Sequence, residues 1–337
     1  MTQKPKPNGA SRLTNIKKGQ LKTGHRFIFY GIEAVGKSTL AAHAERPIFL
    51  DCEDGSARLD VARYPFRDGR GGHVARSYEE VFGAIEDLAA HDHGYKTVVI
   101  DTMDRLEAMI WDYVMARDKV SEKGKKLRCI DDYGWGKGYT TALAELRRFV
   151  NELESLRRET EMDIILLGHA QIRKFQNPDG DDWDRYGLRL QHSEKISAAN
   201  FMKEWADVVG FCRFEEVASK MDPDQHKAKG YSTGRRVIHF ERTHAFDAKS
   251  RIPLPKKVEI EIGNPWRVLG EAISLGEMLD SKALLKLIGA ELKRIDDDEL
   301  TTKVRGACKG AEDVGTLSRY LNNLKERTTP TQENANV

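Results

Sequence analysis

The run Gly31-Ile32-Glu33-Ala34-Val35-Gly36-Lys37-Ser38-Thr39 concentrates residue types that bind phosphate. It satisfies G-x-x-x-x-G-K-[ST] at every defined position, after an apolar segment and before a helix-forming one. The glycines let backbone N–H groups curl around a phosphate, and Lys37 reaches the β- and γ-phosphates of a nucleoside triphosphate. Ser38 offers its hydroxyl to Mg²⁺. Asp101 ends a second apolar segment, Val98-Val99-Ile100-Asp101, and adds a carboxylate for the same metal. The expected ligands are therefore ATP and Mg²⁺. Residues 31–39 would cradle the phosphates, with Ser38 and Asp101 at the metal.

Other polar groups follow apolar segments in the same way. Ile48-Phe49-Leu50-Asp51 leads to Glu53, a carboxylate that can orient the water attacking a γ-phosphate. Asp163-Ile164-Ile165-Leu166-Leu167-Gly168 leads to His169 and Gln171. Either can sense a γ-phosphate and pull on the segment behind it. That segment, 174–195, contains Phe175, Trp183 and Tyr186 and shows neither a helical nor a strand period. Its length is unusual for a compact domain, so it reads as a functional loop.

These groups need strands to carry them. Strands are predicted at 26–30, 47–51, 96–101 and 163–168, with a short helix after the phosphate loop that ends before Pro47. Ser77-x-x-Glu80 predicts a capping box opening a helix with Val81, Ile85 and Leu88 on one face. Further helices are predicted at 104–116 and 138–158. The alternation implies βαβ units, a parallel sheet and helices on both faces. Beyond 205 come strands at 208–214, 236–241 and 257–262, read as antiparallel or mixed additions at one sheet edge. Helices follow at 273–292, divided near Gly276 and Gly289, then at 297–308 and 311–326. The expected division is a basic disordered arm at 1–24, a core at 25–265, a helical region at 266–327 and a disordered tail at 328–337.

The 337 residues carry 55 Lys and Arg against 53 Asp and Glu, a net charge of +2. That balance excludes a polybasic coat for nucleic acid, so any such binding must be local. No apolar run is long enough for a transmembrane helix, and the N-terminus lacks the apolar region of a secretory signal. Cys52, Cys129, Cys212 and Cys308 lie far apart, which argues against a zinc site or disulfide framework. The expected location is a bacterial host's cytoplasm, without a membrane.

Taken together, Gly31–Ser38, the strand ending at Glu53, Val98–Asp101 and Gln171-Ile172-Arg173 resemble the ATPase core of the RecA/RadA recombinases. Tyr95–Asp101, Asp132-Tyr133-Gly134-Trp135-Gly136-Lys137-Gly138-Tyr139 and Ile164–His169 resemble bacteriophage RecA-like ATP-binding proteins, some of them Sak-type single-strand annealing proteins. The resemblance covers about residues 25–265. It implies an α/β RecA-like P-loop NTPase core, with a mostly parallel sheet flanked by helices, antiparallel edge strands and a small helical C-terminal region. Lys37, Ser38 and Asp101 take the ATP·Mg²⁺ roles, Glu53 that of the catalytic glutamate, and His169 or Gln171 that of the γ-phosphate sensor. A first DNA loop falls at 119–138, with Lys123, Lys125, Lys126 and Arg128. A second falls at 173–195, with Arg173, Lys174, Phe175, Trp183, Tyr186 and Arg189. In the second loop basic and acidic residues balance, so its aromatics would carry the contact by stacking. Lys249 and Arg251 match residues that reach a neighbouring subunit's ATP in a ring or filament.

The implied partners are single-stranded DNA, further copies of the chain and a single-strand-binding protein. The implied activity is DNA-stimulated ATP hydrolysis in phage DNA annealing or recombination. The other readings are a nucleotide-dependent assembly switch or loader, and a helicase motor of the DnaB type.

Overall fold

The computed structural model describes residues 23–308 except 125, 179, 219–229, 253, 261–262, 279–280 and 296, together with 317, 320, 321 and 324. The predicted arm, apart from 23–24, and the predicted tail lie outside the described residues, as does most of the predicted helix 311–326.

Strand β1 (Arg26–Gly31) leads through the phosphate loop to helix α1 (Lys37–Ala42), which stops before β2 (Pro47–Asp51). After β3 (Ala62–Arg63) come α2 (Tyr78–Ala90), β4 (Thr97–Asp101), α3 (Met103–Asp118), a 3-10 turn (Ile130–Tyr133) and α4 (Lys137–Thr160). Next are β5 (Asp163–Phe175), β6 (Trp183–Leu188), α5 (Ala198–Trp205), β7 (Val208–Ala218) and β8 (Gly230–His239). The chain continues with β9 (Lys249–Ser250), β10 (Lys257–Glu259), α6 (Arg267–Met278), α7 (Ser281–Ile295) and α8 (Asp298–Cys308).

The sheet order is β10-β8-β7-β1-β5-β4-β2-β3. From β7 to β3 every pairing is parallel, whereas β8 and β10 add antiparallel at one edge. This is the α/β P-loop NTPase core expected from the sequence. Both faces of the parallel strands are covered, which is why they read as continuous apolar runs. Alternate residues supply the two faces. Ile28, Tyr30, Leu50, Ile100 and Leu166 pack with α2, α3 and α4, while Phe27, Phe29, Phe49, Val99 and Leu167 pack with Leu40 of α1 and Leu269 of α6. Trp266 and Leu269 thus belong to the sheet's own core. A separate cluster, including Ile288, Leu292, Val304 and Leu317, begins later in the chain.

The Ser77 hydroxyl accepts from the Glu80 N–H, as the capping box requires. Glu80 answers one residue early, accepting from the Arg76 N–H. The stretch 273–292 is divided as expected, between the end of α6 at Met278 and the start of α7 at Ser281, close to Gly276, whereas Gly289 lies inside α7.

The largest correction concerns 174–195, which is not aperiodic. β5 runs on past the sheet to Phe175 and pairs antiparallel with β6, forming a hairpin whose register sets Phe175 against Trp183. Its period was hidden because Arg173 and Arg185 take inward positions. Arg173 donates to the Leu188 carbonyl at 2.7 Å and to the Leu190 carbonyl, and Arg185 pairs with Asp247 at 2.6 Å.

Candidate active site

Parallel pairing brings the carboxyl ends of β1, β5, β4 and β2 together. Gly31 lies in register with His169, and Asp51 with Asp101. Gly31 also lies against β7, where a Cβ would meet the Cys212 carbonyl oxygen at 2.0 Å, so only glycine fits. The loop turns through Ala34 (φ 58°) and Gly36 (φ 93°), both in the left-handed region that glycine enters most readily.

Lys37 is buried, and its Nζ donates to the Ile32 carbonyl at 2.8 Å and the Gly31 carbonyl at 3.3 Å. Burial pushes its pKa below the ordinary lysine value, with Asp101 among the charges that oppose the shift. Anionic phosphate oxygens in the loop would offer this ammonium better partners than carbonyls do.

The Ser38 hydroxyl donates to Asp101 Oδ2 at 2.6 Å. Burial pushes the Asp101 pKa up, against the Ser38 hydrogen bond. A Cβ on Gly55 would lie 2.9 Å from the same oxygen, so glycine there keeps the carboxylate uncrowded. Two hard oxygen donors beside a phosphate loop fit Mg²⁺, which takes few protein ligands and keeps several waters.

Glu53 is half-buried at the end of β2. Its backbone N–H donates to the Asp101 carbonyl at 3.1 Å, and the Thr102 hydroxyl donates to its Oε1 at 2.5 Å. His169 Nδ1 lies 3.0 Å from Asp104 Oδ2. Glu53, Asp104 and His169 each bring a ligating atom within 4.8 Å of the others. They line a cleft of about 1030 Å³ together with Gln171, Arg189 and Glu107. The Gln191 N–H donates to both Glu107 oxygens, at 3.0 and 2.9 Å, yet burial pushes the Glu107 pKa up to about 7.

Gln171 lines the same cleft, but its amide lies between the Leu188 carbonyl and the Arg173 guanidinium. The orientation that satisfies it turns Oε1 to Arg173 Nε, 2.7 Å away.

Of the first-loop candidates, Lys123, Lys126 and Arg128 are exposed, and Lys125 lies outside the described residues. On the hairpin, the Phe175 and Trp183 rings pack tilted against each other, centroids 4.8 Å apart and planes at 34°, and the Arg185 guanidinium lies 5.1 Å from the Phe175 ring. Lys174 is exposed, 3.4 Å from Asp182, and exposed Arg189 reaches the cleft. Two candidates are corrected. Arg173 is committed to carbonyls, and Tyr186 stacks on Phe211 at 5.2 Å against the core, so neither offers a free face to a base.

Lys249 and Arg251 lie at the other end of the sheet. β9 pairs with Val208 and Val209, the end of β7 beside Phe27 and Ile28 and away from Gly31. Lys249 Nζ donates to the carbonyls of Lys203 and Glu204, and Arg251 pairs with Asp207 at 3.2 Å. They do not face this chain's own phosphate loop.

Several residues were missed in the sequence. Thr102 and Asp104 follow Asp101 directly and join the site because α3 starts at Met103. Trp135, within the Asp132–Tyr139 segment, is 92% exposed, and its neighbour Gly136 lines the cleft.

Among the described residues, no helix is long and apolar enough to cross a membrane. No curated protein sequence matches the chain. Among solved structures, the crystal structure of the RadB recombinase aligns at 14% identity and a TM-score of 0.33, over 64% of this chain and 80% of that one. Residues 23–252 match the AAA domain family, a span holding the phosphate loop, Glu53, Asp101 and His169. The chain therefore belongs to that family of nucleotide-binding ATPases.

Proposed function

We propose that this protein hydrolyses ATP and uses its nucleotide state to control binding of single-stranded DNA, in support of annealing or recombination of phage DNA. The observation that carries the reading is the continuity of β5. The strand has His169 at the nucleotide cleft and ends at Phe175, whose ring packs against that of Trp183.

In the proposed reaction Glu53, held by Thr102, takes a proton from water as its oxygen bonds to the γ-phosphorus. The bond to the β,γ-bridging oxygen breaks, leaving ADP and inorganic phosphate. Lys37 stabilises charge on the phosphates. Mg²⁺, held by Ser38 and Asp101, would add further charge stabilisation. His169 serves as the γ-phosphate sensor, since Asp104 orients its ring towards the cleft whereas Gln171 is held by β6 and Arg173. DNA contact falls to Phe175, Trp183, Lys174 and Arg189, to Lys123, Lys126 and Arg128, and to Trp135. Exposed cations would supply the salt-dependent part of the affinity and aromatic rings the stacking part. In a ring or filament, Lys249 and Arg251 would leave Asp207 and α5 for a neighbouring subunit's nucleotide. The likeness of 95–101, 132–139 and 164–169 to bacteriophage RecA-like proteins supports the phage setting and a single-strand-binding protein as partner.

The test is the initial rate of ATP hydrolysis without nucleic acid and with single-stranded DNA, duplex DNA or RNA. Selective stimulation by single-stranded DNA supports the proposal. Hydrolysis indifferent to all three would favour the assembly-switch reading.

A further inference from the structure

An arginine on β8 reaches the phosphate loop. Arg236 lies opposite Phe214 of β7. A Cβ built on Gly36 would meet its Nη1 at 2.8 Å, so the guanidinium rests directly on the loop's last glycine. The strand that carries it is firmly seated: Ile238 and Phe240, on the same face, share a core with Val35 of the loop and Leu40 of α1.

Arg236 is half-buried, and among the described residues it has no ion pair and no side-chain hydrogen bond. Its surroundings do not lack acids. Glu215 on the neighbouring strand pairs with Arg235 at 2.8 Å and Lys257 at 2.8 Å, leaving Arg236 aside. In the same loop the buried Lys37 ammonium donates to the Gly31 and Ile32 carbonyls. A phosphate seated in the loop would give both cations a directly bonded anionic partner. The guanidinium fork suits phosphate oxygens, which it can meet with two parallel N–H bonds.

We propose that Arg236 is a phosphate-binding residue of the ATP site, supplied by β8 of the same chain, and contacts the nucleotide's phosphate oxygens at Gly36. The inference rests on the loop's assignment to ATP. It adds a cation from β8, outside the phosphate-loop motif, and ties that strand to nucleotide occupancy.

The test measures equilibrium binding of ATP and of adenosine, with Mg²⁺, to wild type, Arg236→Ala, Arg236→Gln and Lys37→Ala. Arg236→Gln keeps most of the volume and hydrogen-bonding capacity without the charge, so it guards against misfolding of the alanine variant. Both Arg236 variants should bind ATP on the order of 10- to 100-fold more weakly, as expected for a lost hydrogen bond to a charged group. Adenosine binding and the unfolding midpoint of the nucleotide-free protein should stay near wild type. A purely structural role would move adenosine binding and the midpoint as well. Wild-type ATP affinity in both variants, or equal losses for ATP and adenosine, would overturn the proposal. Wild-type ATP affinity in Lys37→Ala would instead overturn the assignment of the loop itself.

Discussion

The Asp104 carboxylate holds His169 twice: Oδ2 lies 3.0 Å from the ring Nδ1, and Oδ1 accepts from the His169 backbone N–H at 3.2 Å. One acid thus fixes both the imidazole and the strand end that carries it. The hydrogen bond to Asp104 raises the His169 pKa, against burial. Burial works to raise the Asp104 pKa, but its bonds to His169 outweigh it and hold the carboxyl below its ordinary value.

The pair therefore makes stability depend on pH. The raised His169 pKa contributes fully below about 6.5, the ordinary imidazole value, and the contribution fades as pH rises through the raised value. The lowered Asp104 pKa contributes fully above about 3.9 and fades as pH falls through the lowered value. Asp104→Asn should then destabilise the protein most between those limits, by about 1–3 kcal/mol for a half-buried pair. The difference should shrink by pH 9. Denaturant unfolding of both proteins across pH checks this, and a difference independent of pH would contradict it.

In the proposed reaction Glu53 acts on water and does not hold nucleotide. Glu53→Gln should bind ATP with wild-type affinity and hydrolyse it more slowly, by on the order of 10²-fold or more. Single-turnover hydrolysis beside equilibrium binding separates the two effects. Unchanged turnover would make Glu53 an ordinary solvated acid.

Trp183 and Trp135 should contribute to single-strand affinity by stacking, at roughly 1–3 kcal/mol per base, so each alanine variant should bind about tenfold more weakly or worse. Lys126→Gln and Arg128→Gln should instead flatten the plot of log affinity against log salt, by roughly 0.7 for each phosphate that is no longer neutralised. Titration of a labelled oligonucleotide at several salt concentrations distinguishes the two classes. Equal effects of all four on the salt slope would argue against the division.

Lys249 and Arg251 face away from their own phosphate loop, so their proposed role requires a neighbour. Mixing Lys37→Ala protein with Arg251→Ala protein should restore some ATPase activity, because some mixed interfaces keep both groups intact. Mixed oligomers without rescue at any ratio would leave these residues to their ties with Asp207 and α5.

The parallel core was legible in the sequence because strands covered on both faces must be apolar throughout, and the phosphate loop because its spacing follows from phosphate geometry. The hairpin was not, since Arg173 and Arg185 fill its inward positions and take partners remote in sequence, among them the Leu188 carbonyl and Asp247. The same long-range dependence concealed Tyr186, whose stacking partner Phe211 lies on β7. Arg236 matches no phosphate-binding motif, and only the β7–β8 register sets it over Gly36. His169 and Gln171 were indistinguishable from spacing. Asp104, on another element, is what the proposal uses to favour His169.

The central claim is that ATP in the phosphate loop controls single-strand binding through β5. Fluorescence anisotropy of a labelled single-stranded oligonucleotide at low salt, without nucleotide and with ATP and Mg²⁺, tests it most directly. The account predicts tighter binding with ATP in the wild type and no response to ATP in Lys37→Ala. Absence of measurable binding with ATP, or equal binding by wild type with and without it, would contradict the account.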